Sequence, residues 1–226
     1  PDTLESIDRF AFLANNLTKI KLGSNLKKVN SAAFMSNQLK DVNISNGVEQ
    51  LAALAFYDNL VEKVDVPNSI TYIGSQVFNQ NLFSDKDAFI YKRNNDGTED
   101  KTTIMSYSGE NTNVVIPDGV TTIYIAAFAG QPMITRNGYA PLSNRKIESV
   151  LFPDTITEIG MSSFSYNNLK NVVIPDNAIK VGSSSFSNNI LEEIKLPDSL
   201  EKIEDSAFSY NSLKKISIPN NVTEIA

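Results

Sequence analysis

The chain has 226 residues, of which 41% are hydrophobic and 20% charged, and its formal net charge is −6. This composition is typical of a folded soluble protein, and the acidic balance argues against nucleic acid or an anionic membrane surface as a partner. The chain contains neither Cys nor His, so disulfides, thiolate or imidazole catalysis and the usual zinc or copper sites are excluded. No apolar stretch approaches the length of a membrane-spanning helix, and we expect no cofactor and no membrane insertion.

A repeat of 22 residues organises the sequence. The stretches SFSYNNLKNVVIP, SFSNNILEEIKLP and AFSYNSLKKISIP begin at Ser163, Ser185 and Ala207. The aromatic residue of this repeat recurs along the whole chain, at Phe12, Phe34, Phe56, Phe78, Phe128, Phe164, Phe186 and Phe208. Such a period is typical of repeat proteins, in which stacked copies bury one another's apolar faces.

Each repeat predicts one short strand after its Phe. In the last repeat, the alternation of Ile216 and Ile218 indicates a strand with one buried face, and Pro219 ends it because proline cannot donate to a ladder. In chain order, eight parallel strands are predicted near Lys19–Leu22, Asp41–Ile44, Lys63–Val66, Asn113–Ile116, Ser149–Phe152, Asn171–Ile174, Glu193–Leu196 and Lys215–Ile218. We expect these strands to stack into one sheet, with little helix elsewhere.

The third position after the Phe is almost always Asn. It is occupied by Asn15, Asn37, Asn59, Asn81, Asn167, Asn189 and Asn211, with Gln131 as the exception. An Asn amide carries donors and an acceptor, so a stacked row of them can satisfy buried backbone groups of the turn. The alternative is a row of polar ligand-binding groups, but we interpret these residues, together with the Phe residues, as a structural ladder.

Two insertions interrupt the period, at residues 84–110 and 130–143. In the first, apolar and polar residues alternate in Ala88–Lys92 and Thr103–Tyr107, on either side of an Asn-Asp-Gly sequence, which predicts a β-hairpin. The second insertion, GQPMITRNGYAPLS, is rich in Pro and Gly. It predicts a loop without regular structure.

The polar tip of the predicted hairpin is a candidate calcium site. It holds Asn94, Asp96, Glu99 and Asp100, whose side-chain oxygens are suitable ligands for calcium. Their spacing departs from the EF-hand loop, which places oxygen ligands at alternate positions and Gly at the sixth. We therefore predict no metal site.

The pattern Leu-x-x-Ile-x-Ile-Pro-x-x-Val-x-x-Ile-Gly-x-x-Ala-Phe resembles the BspA-like, or Treponema-type, leucine-rich repeats of bacterial surface proteins. The match is clearest in VPNSITYIG, IPDGVTTI and FPDTITEIG, which begin at Val66, Ile116 and Phe152. The first repeats depart from it, with Gly23 and Ser45 in place of the usual Pro. The resemblance implies an α/β-type repeat solenoid that is mostly β, right-handed, with a parallel sheet on its concave side, in a single domain spanning residues 1–226.

Both ends of the chain lie inside a repeat. Pro1 aligns with Pro67, and the chain stops at Ala226, just before another Ala-Phe pair is due. We expect the chain to be a fragment of a longer protein, and no signal peptide is visible in it.

Catalysis is not supported by any converging set of residues. The carboxylate pairs Glu192/Glu193 and Glu99/Asp100 are adjacent in sequence, and neighbouring residues on a strand point to opposite faces, whereas acid–base catalysis needs two groups that meet. The hydroxyl run Ser183–Ser185 has no His to activate it. We predict that the protein is not an enzyme.

The resemblance implies binding, and two functions remain open. The first is a protein-binding or adhesion module of a secreted or cell-surface bacterial protein, whose ligand is a host, matrix or other cell-surface protein. The second is a structural spacer or a glycan-contacting cell-wall protein. Few aromatic residues fall on the predicted strand face and Trp is absent, so no platform for sugar stacking is evident there.

The predicted binding site is a short apolar row on the strand face. Val115, Leu151 and Val173 should point outward on neighbouring strands, where contiguous apolar surface often marks an interaction site. Arg136 and Tyr139, in the second insertion, are suited to frame it, because Tyr and Arg are enriched at interface anchors. The alternative is that the loop Gly130–Ser143 folds over the row and buries it.

Overall fold

The computed structural model describes residues 2–84, 88–130 and 146–226. The chain forms a β-solenoid of about nine turns with parallel sheets, and no helix occurs among the described residues. None of the described segments could cross a membrane as a long apolar helix. The predicted fold class is therefore confirmed, including its low helix content.

The described residues fall into two compact units. The first contains residues up to 100 together with 105–110, and the second contains residues 101–104, 111–130 and 146–226. In each unit one repeat makes one coil, and the coils are joined by hydrogen bonds between residues one repeat apart. The assignment of residues 1–226 to one domain of a longer protein stays a prediction.

The first unit contains a parallel sheet of two-residue strands in the order β1-β2-β3-β4. Its register follows the repeat, since Val29 of β2 pairs with Leu51 of β3 and Leu51 pairs with Ile73 of β4. In each strand the second residue is buried and the first faces outward. The strands are β1 (Ser6–Ile7), β2 (Lys28–Val29), β3 (Gln50–Leu51) and β4 (Tyr72–Ile73).

The first insertion forms the predicted hairpin. Its strands are β5 (Phe89–Arg93) and β6 (Glu99–Tyr107), which are hydrogen-bonded neighbours. β6 begins at Glu99, four residues before the Thr103 that the alternating pattern predicts. In the turn, the Gly97 N–H donates to the Asn94 carbonyl at 2.9 Å. Gly97 has a left-handed φ of 80°, and a Cβ there would lie 1.6 Å from the Asn68 carbonyl oxygen. Only glycine therefore fits where the hairpin passes the preceding coil.

The second unit carries strands on two sides of its stacked coils. On one side, β8, β10, β12, β14 and β15 continue in parallel from residues 103 and 104 of β6. On the other side, β7 pairs with β9 and β11 pairs with β13, also in parallel. The strands are β7 (Asn113–Val115), β8 (Thr122–Ile123), β9 (Ser149–Leu151), β10 (Glu158–Ile159), β11 (Asn171–Val173), β12 (Lys180–Val181), β13 (Glu193–Lys195), β14 (Lys202–Ile203) and β15 (Glu224–Ile225).

The strands lie in part where the sequence did not place them. Four of the eight predicted strands form, as β7, β9, β11 and β13. In the first unit the predicted strands shrink to single bridges from Lys19 to Asp41 and from Asp41 to Lys63, and Lys215–Ile218 forms no strand. The more continuous ladder lies on the other side of the coil, where two residues per repeat are too few to show an alternating pattern.

The core of each unit is built around a stack of Phe rings. In the first unit the rings of Phe12, Phe34, Phe56 and Phe78 lie 5.2, 5.3 and 5.5 Å apart between centroids. In the second unit the rings of Phe128, Phe164, Phe186 and Phe208 follow at 4.8, 5.4 and 5.8 Å. Interior rings are fully buried, as at Phe56 and Phe186. One coil lacks the aromatic residue. In that coil the Ser106 hydroxyl accepts a hydrogen bond from the Phe78 N–H at 3.4 Å.

Candidate functional site

Val115, Leu151 and Val173 form an exposed row on β7, β9 and β11, which we call the apolar strip. Val115 and Leu151 are directly paired across β7 and β9, and β11 is the next strand along. Their side chains are 62%, 65% and 60% exposed. Three aliphatic side chains are therefore presented together to solvent, within the second unit.

The apolar strip results from the period of two along each strand. Val114 and Val172 are the neighbours of Val115 and Val173, and both are only 3% exposed. The chain thus places one Val in the core and the next on the surface. An aliphatic residue at the outward position contributes nothing to the core.

Uncharged polar groups lie beside the apolar strip. The outward residues two positions earlier on the same strands are Asn113, Ser149 and Asn171. The Ser149 hydroxyl donates to the Asn113 Oδ1 at 2.7 Å. This column can exchange hydrogen bonds with a ligand that covers the strip.

Charged residues begin at β13. Lys195 pairs in register with Val173 and is exposed, and the Glu193 carboxylate lies 3.6 Å from the Lys215 ammonium. Next to β13, a hydrogen bond from Lys170 and a second, weaker one from Lys214 hold the pKa of Glu192 below its usual value. The apolar strip therefore ends abruptly at a charged surface.

Arg136 and Tyr139, the predicted frame of the strip, lie outside the described residues. So does the loop Gly130–Ser143 beyond its first residue, and with it the alternative that this loop covers the strip.

The Asn ladder makes a repeated set of hydrogen bonds. The Asn59 side-chain amide donates to the carbonyls of Phe34 at 3.0 Å and Phe56 at 3.2 Å, and its oxygen accepts the Leu39 N–H at 3.1 Å. One side chain thus links two successive coils. The corresponding bonds are made by Asn37, Asn81, Asn167, Asn189 and Asn211. Asn15 is exposed, and within the described part of the chain its side chain bonds only to the Leu13 carbonyl.

The candidate acidic groups are engaged in local interactions. Asp100 pairs with Lys92 at 3.4 Å, and Asp96 accepts the Thr98 hydroxyl at 2.6 Å, which lowers the pKa of Asp96. Over the described ranges, no three acidic side chains come together as a possible metal site. The Ser183 hydroxyl donates to the Glu204 carboxylate at 3.2 Å, away from Glu192 and Glu193.

The turns around the Phe residues contribute surface that the sequence pattern did not predict. Residues two before and two after the Phe adopt a left-handed backbone, for example Ser184 and Asn188 at φ 54°. In the last coils these positions carry Ser, Asn and Tyr and are partly or largely exposed, whereas in the first unit Ala32, Ser36 and Asp58 at such positions are buried. The recurring letters SSFSY, SSFSN and SAFSY were the available signal.

Comparison with known families finds one match. A family model described as BspA type leucine rich repeat region matches residues 1–84 and 134–226, in six copies. This is more than half of the chain. No curated protein sequence matches.

Several solved structures share the fold. A leucine-rich repeat protein from Eubacterium ventriosum is 19% identical, with a TM-score of 0.58 over 99% of this chain and 73% of its own. A leucine rich cell surface protein from Faecalibacterium prausnitzii is 17% identical, with a TM-score of 0.56 over 94% of this chain and 70% of its own. The pneumococcal vaccine antigen PcpA is 15% identical, with a TM-score of 0.56 over 98% of this chain and 71% of its own. At these identities the likeness concerns the fold.

Proposed function

Since the chain belongs to the family of BspA-type leucine-rich repeat proteins, we propose that it is a non-enzymatic protein-binding module that binds its ligand through the apolar strip. Repeat arrays commonly bind partners across the face formed by successive repeats. The proposed setting is a secreted or cell-surface bacterial protein, with a host, matrix or other cell-surface protein as the ligand. The description of one similar structure as a leucine rich cell surface protein supports this setting.

The observation that carries the proposal is the exposure of Val115, Leu151 and Val173 on adjacent strands. Isolated exposed aliphatic residues are common on soluble proteins, but contiguous ones more often mark an interaction site. Burying three such side chains against a partner contributes roughly 1 kcal/mol or more each. The polar column of Asn113, Ser149 and Asn171 supplies hydrogen bonds at the rim, as in typical interfaces.

A spacer function predicts a different surface. A repeat array that only supplies length needs no outward aliphatic residue, and the corresponding positions of the first unit are polar or charged: Lys21, Asn43 and Asp65. The presence of Val115, Leu151 and Val173 at these positions of the second unit therefore favours a binding function over a spacer function.

The test is a pair of charge substitutions with a matched control. Val115→Asp and Val173→Asp are compared with Tyr72→Asp, since Tyr72 is also an outward strand residue and is 53% exposed. Purified surface-displayed and matrix proteins are screened for binding to the native chain, and the variants are then measured against each protein that binds.

The expected result is lost binding for the two Val variants at unchanged melting temperature, with Tyr72→Asp binding normally. A large fall in melting temperature for Val115→Asp and Val173→Asp would mean that the apolar strip is core, and the proposal would fail. Normal binding by both Val variants would place the ligand elsewhere on the chain.

A further inference from the structure

We infer that the turn side of the last three described Phe coils binds a neutral carbohydrate chain, at a site separate from the apolar strip. The site, here called the hydroxyl groove, comprises Tyr166, Asn188 and Tyr210 together with the serines two before and one after Phe164, Phe186 and Phe208. It is a shallow open depression of about 370 Å³, within the size range of small-molecule sites.

Two tyrosine rings stand at the ends of the hydroxyl groove. Tyr166 and Tyr210 occupy the same position of their repeats, two coils apart, and are 42% and 81% exposed. Coils joined by parallel ladders lie about 4.8 Å apart, so these two residues are separated by roughly 10 Å along the stack. The electron-rich face of an aromatic ring attracts the C–H groups of a sugar ring. Two rings at this spacing suit a ligand made of repeated units.

Hydroxyl groups line the space between the rings. Ser162, Ser184 and Ser206 form one column that is partly or fully exposed, and Ser165, Ser187 and Ser209 form a second at the floor of the groove, where Ser165 and Ser187 are buried. The Ser165 hydroxyl is engaged with the Ser162 carbonyl at 3.0 Å, whereas Ser162 and Ser184 use their side chains in no hydrogen bond with a described residue. Each free hydroxyl can both donate and accept. Sugar hydroxyls have the same dual capacity, so the two surfaces are complementary.

The turn backbone is not available to a ligand, which argues against a peptide. The N–H groups of Ser162, Tyr166 and Asn188 donate to carbonyls of the next coil at 2.8, 3.0 and 3.0 Å. A bound peptide strand would need such groups unpaired. The described lining also contains no aliphatic side chain to anchor one.

Among the residues that the structure describes, no charged side chain lines the hydroxyl groove, although 20% of the residues of the chain are charged. The nearby Asp205 carboxylate accepts the Ser206 hydroxyl at 3.3 Å. A polyanion such as an acidic polysaccharide would find no cation here to pair with. The expected ligand is therefore an uncharged glycan.

The hydroxyl groove is not a necessary product of the repeat. In the first unit the equivalent positions hold Ala32, Met35, Leu54 and Tyr57, and three of them form a buried apolar cluster against which Leu54 packs. The same backbone therefore accepts apolar residues, and serines at the positions two before and one after the Phe occur only in the coils of Phe164, Phe186 and Phe208.

The experiment uses the full chain and two probes, the hexamers of β-1,4-linked N-acetylglucosamine and of β-1,4-linked glucose. Binding is followed by saturation-transfer NMR and by tyrosine fluorescence. The Tyr166→Ala/Tyr210→Ala variant is compared with Tyr72→Ala, which removes an exposed tyrosine from the first unit. An acidic hexamer of galacturonic acid and an apolar peptide serve as competing ligands.

The inference predicts that at least one neutral hexamer binds the native chain. Its affinity should fall roughly tenfold or more in the double variant and should be unchanged in Tyr72→Ala. Because both tyrosines are exposed, the double variant should keep its melting temperature, so lost binding reports the site. Failure of both neutral hexamers to bind overturns the inference, as does equal binding by the double variant or preferential binding of the acidic hexamer or the peptide. Val115→Asp should bind the glycan normally, which separates this result from the protein-binding proposal.

Discussion

The outward positions of equivalent segments differ between the two units. In the first three coils of the second unit they hold Val115, Leu151 and Val173, whereas in the first unit they hold Lys21, Asn43 and Asp65. The inward positions hardly differ, and each unit contains a stack of Phe rings and a row of Asn amides. A coil must match its neighbours in the interior, while its outward residues contact only solvent or a ligand. The difference between the units therefore separates residues that maintain the fold from residues that are free to specify function.

The largest effect is expected from substitutions in the core of each unit. Phe56→Ala in the first unit and Phe186→Ala in the second should each lower the free energy of unfolding by about 3–5 kcal/mol, because both rings are fully buried. Phe12→Ala should cost much less, since Phe12 is 42% exposed. Urea unfolding of the three variants measures this, and an unchanged midpoint for Phe186→Ala would contradict the stacked core.

The Asn ladder should show a smaller loss that is again equal in both units. Asn59→Ala and Asn189→Ala each leave a backbone N–H and carbonyls of two coils without partners, which should cost about 1–3 kcal/mol. Asn15→Ala is the control, because that side chain is exposed and makes one local bond. If Asn15→Ala and Asn59→Ala prove equally destabilising in thermal denaturation, the hydrogen bonds between coils do not account for the ladder.

Left-handed turn positions should respond to glycine with a modest gain. Ala14 and Ser206 are exposed and have φ values of 53° and 56°, which side chains disfavour and glycine adopts freely. Ala14→Gly and Ser206→Gly should each raise the free energy of unfolding by roughly 0.5–1 kcal/mol. Lys40→Gly, at an exposed residue of ordinary φ, should lower it instead. Loss of stability in all three would show that the turns carry no left-handed strain.

The smallest expected effect is electrostatic and confined to the second unit. Hydrogen bonds from Lys170 and Lys214 lower the pKa of Glu192 from its ordinary value of 4.5. A lowered pKa means that the ion pair stabilises the protein above that value and that the contribution disappears as the pH falls through the folded-state pKa. Glu192→Gln should therefore unfold at slightly lower urea concentration than the native chain at pH 7, and the difference should vanish in acid. A difference that persists in acid would assign the effect to packing.

The repeat period made much of the fold predictable from sequence. The regular recurrence of Phe and Asn placed the core and the ladder residues, because a 22-residue spacing forces equivalent residues into register between coils. The hairpin was predictable from the alternation on either side of Asn-Asp-Gly. Of the candidate site, the outward direction of Val115, Leu151 and Val173 followed from the period of two, and the structure places all three on the surface.

Other features depend on contacts between coils that a single repeat does not show. The ladder through Val29 and Leu51 consists of two residues per strand, and such a segment becomes a strand only when the next coil supplies its hydrogen-bond partners. Lys19, Asp41 and Lys63 make single bridges, although the repeat pattern predicts a strand at each of them as it does at β7 and β9.

The sequence by itself determined which residues are equivalent, because equivalence requires only the period. The tertiary structure decided which equivalent residues meet across coils and what surface they make together. Tyr166, Asn188 and Tyr210 stand 22 residues apart in the chain and become neighbours along one side only when the coils stack. Hydrogen bonds between coils, such as the Tyr166 N–H to the Ser187 carbonyl, produce that proximity, and they depend on backbone geometry that no individual side chain encodes.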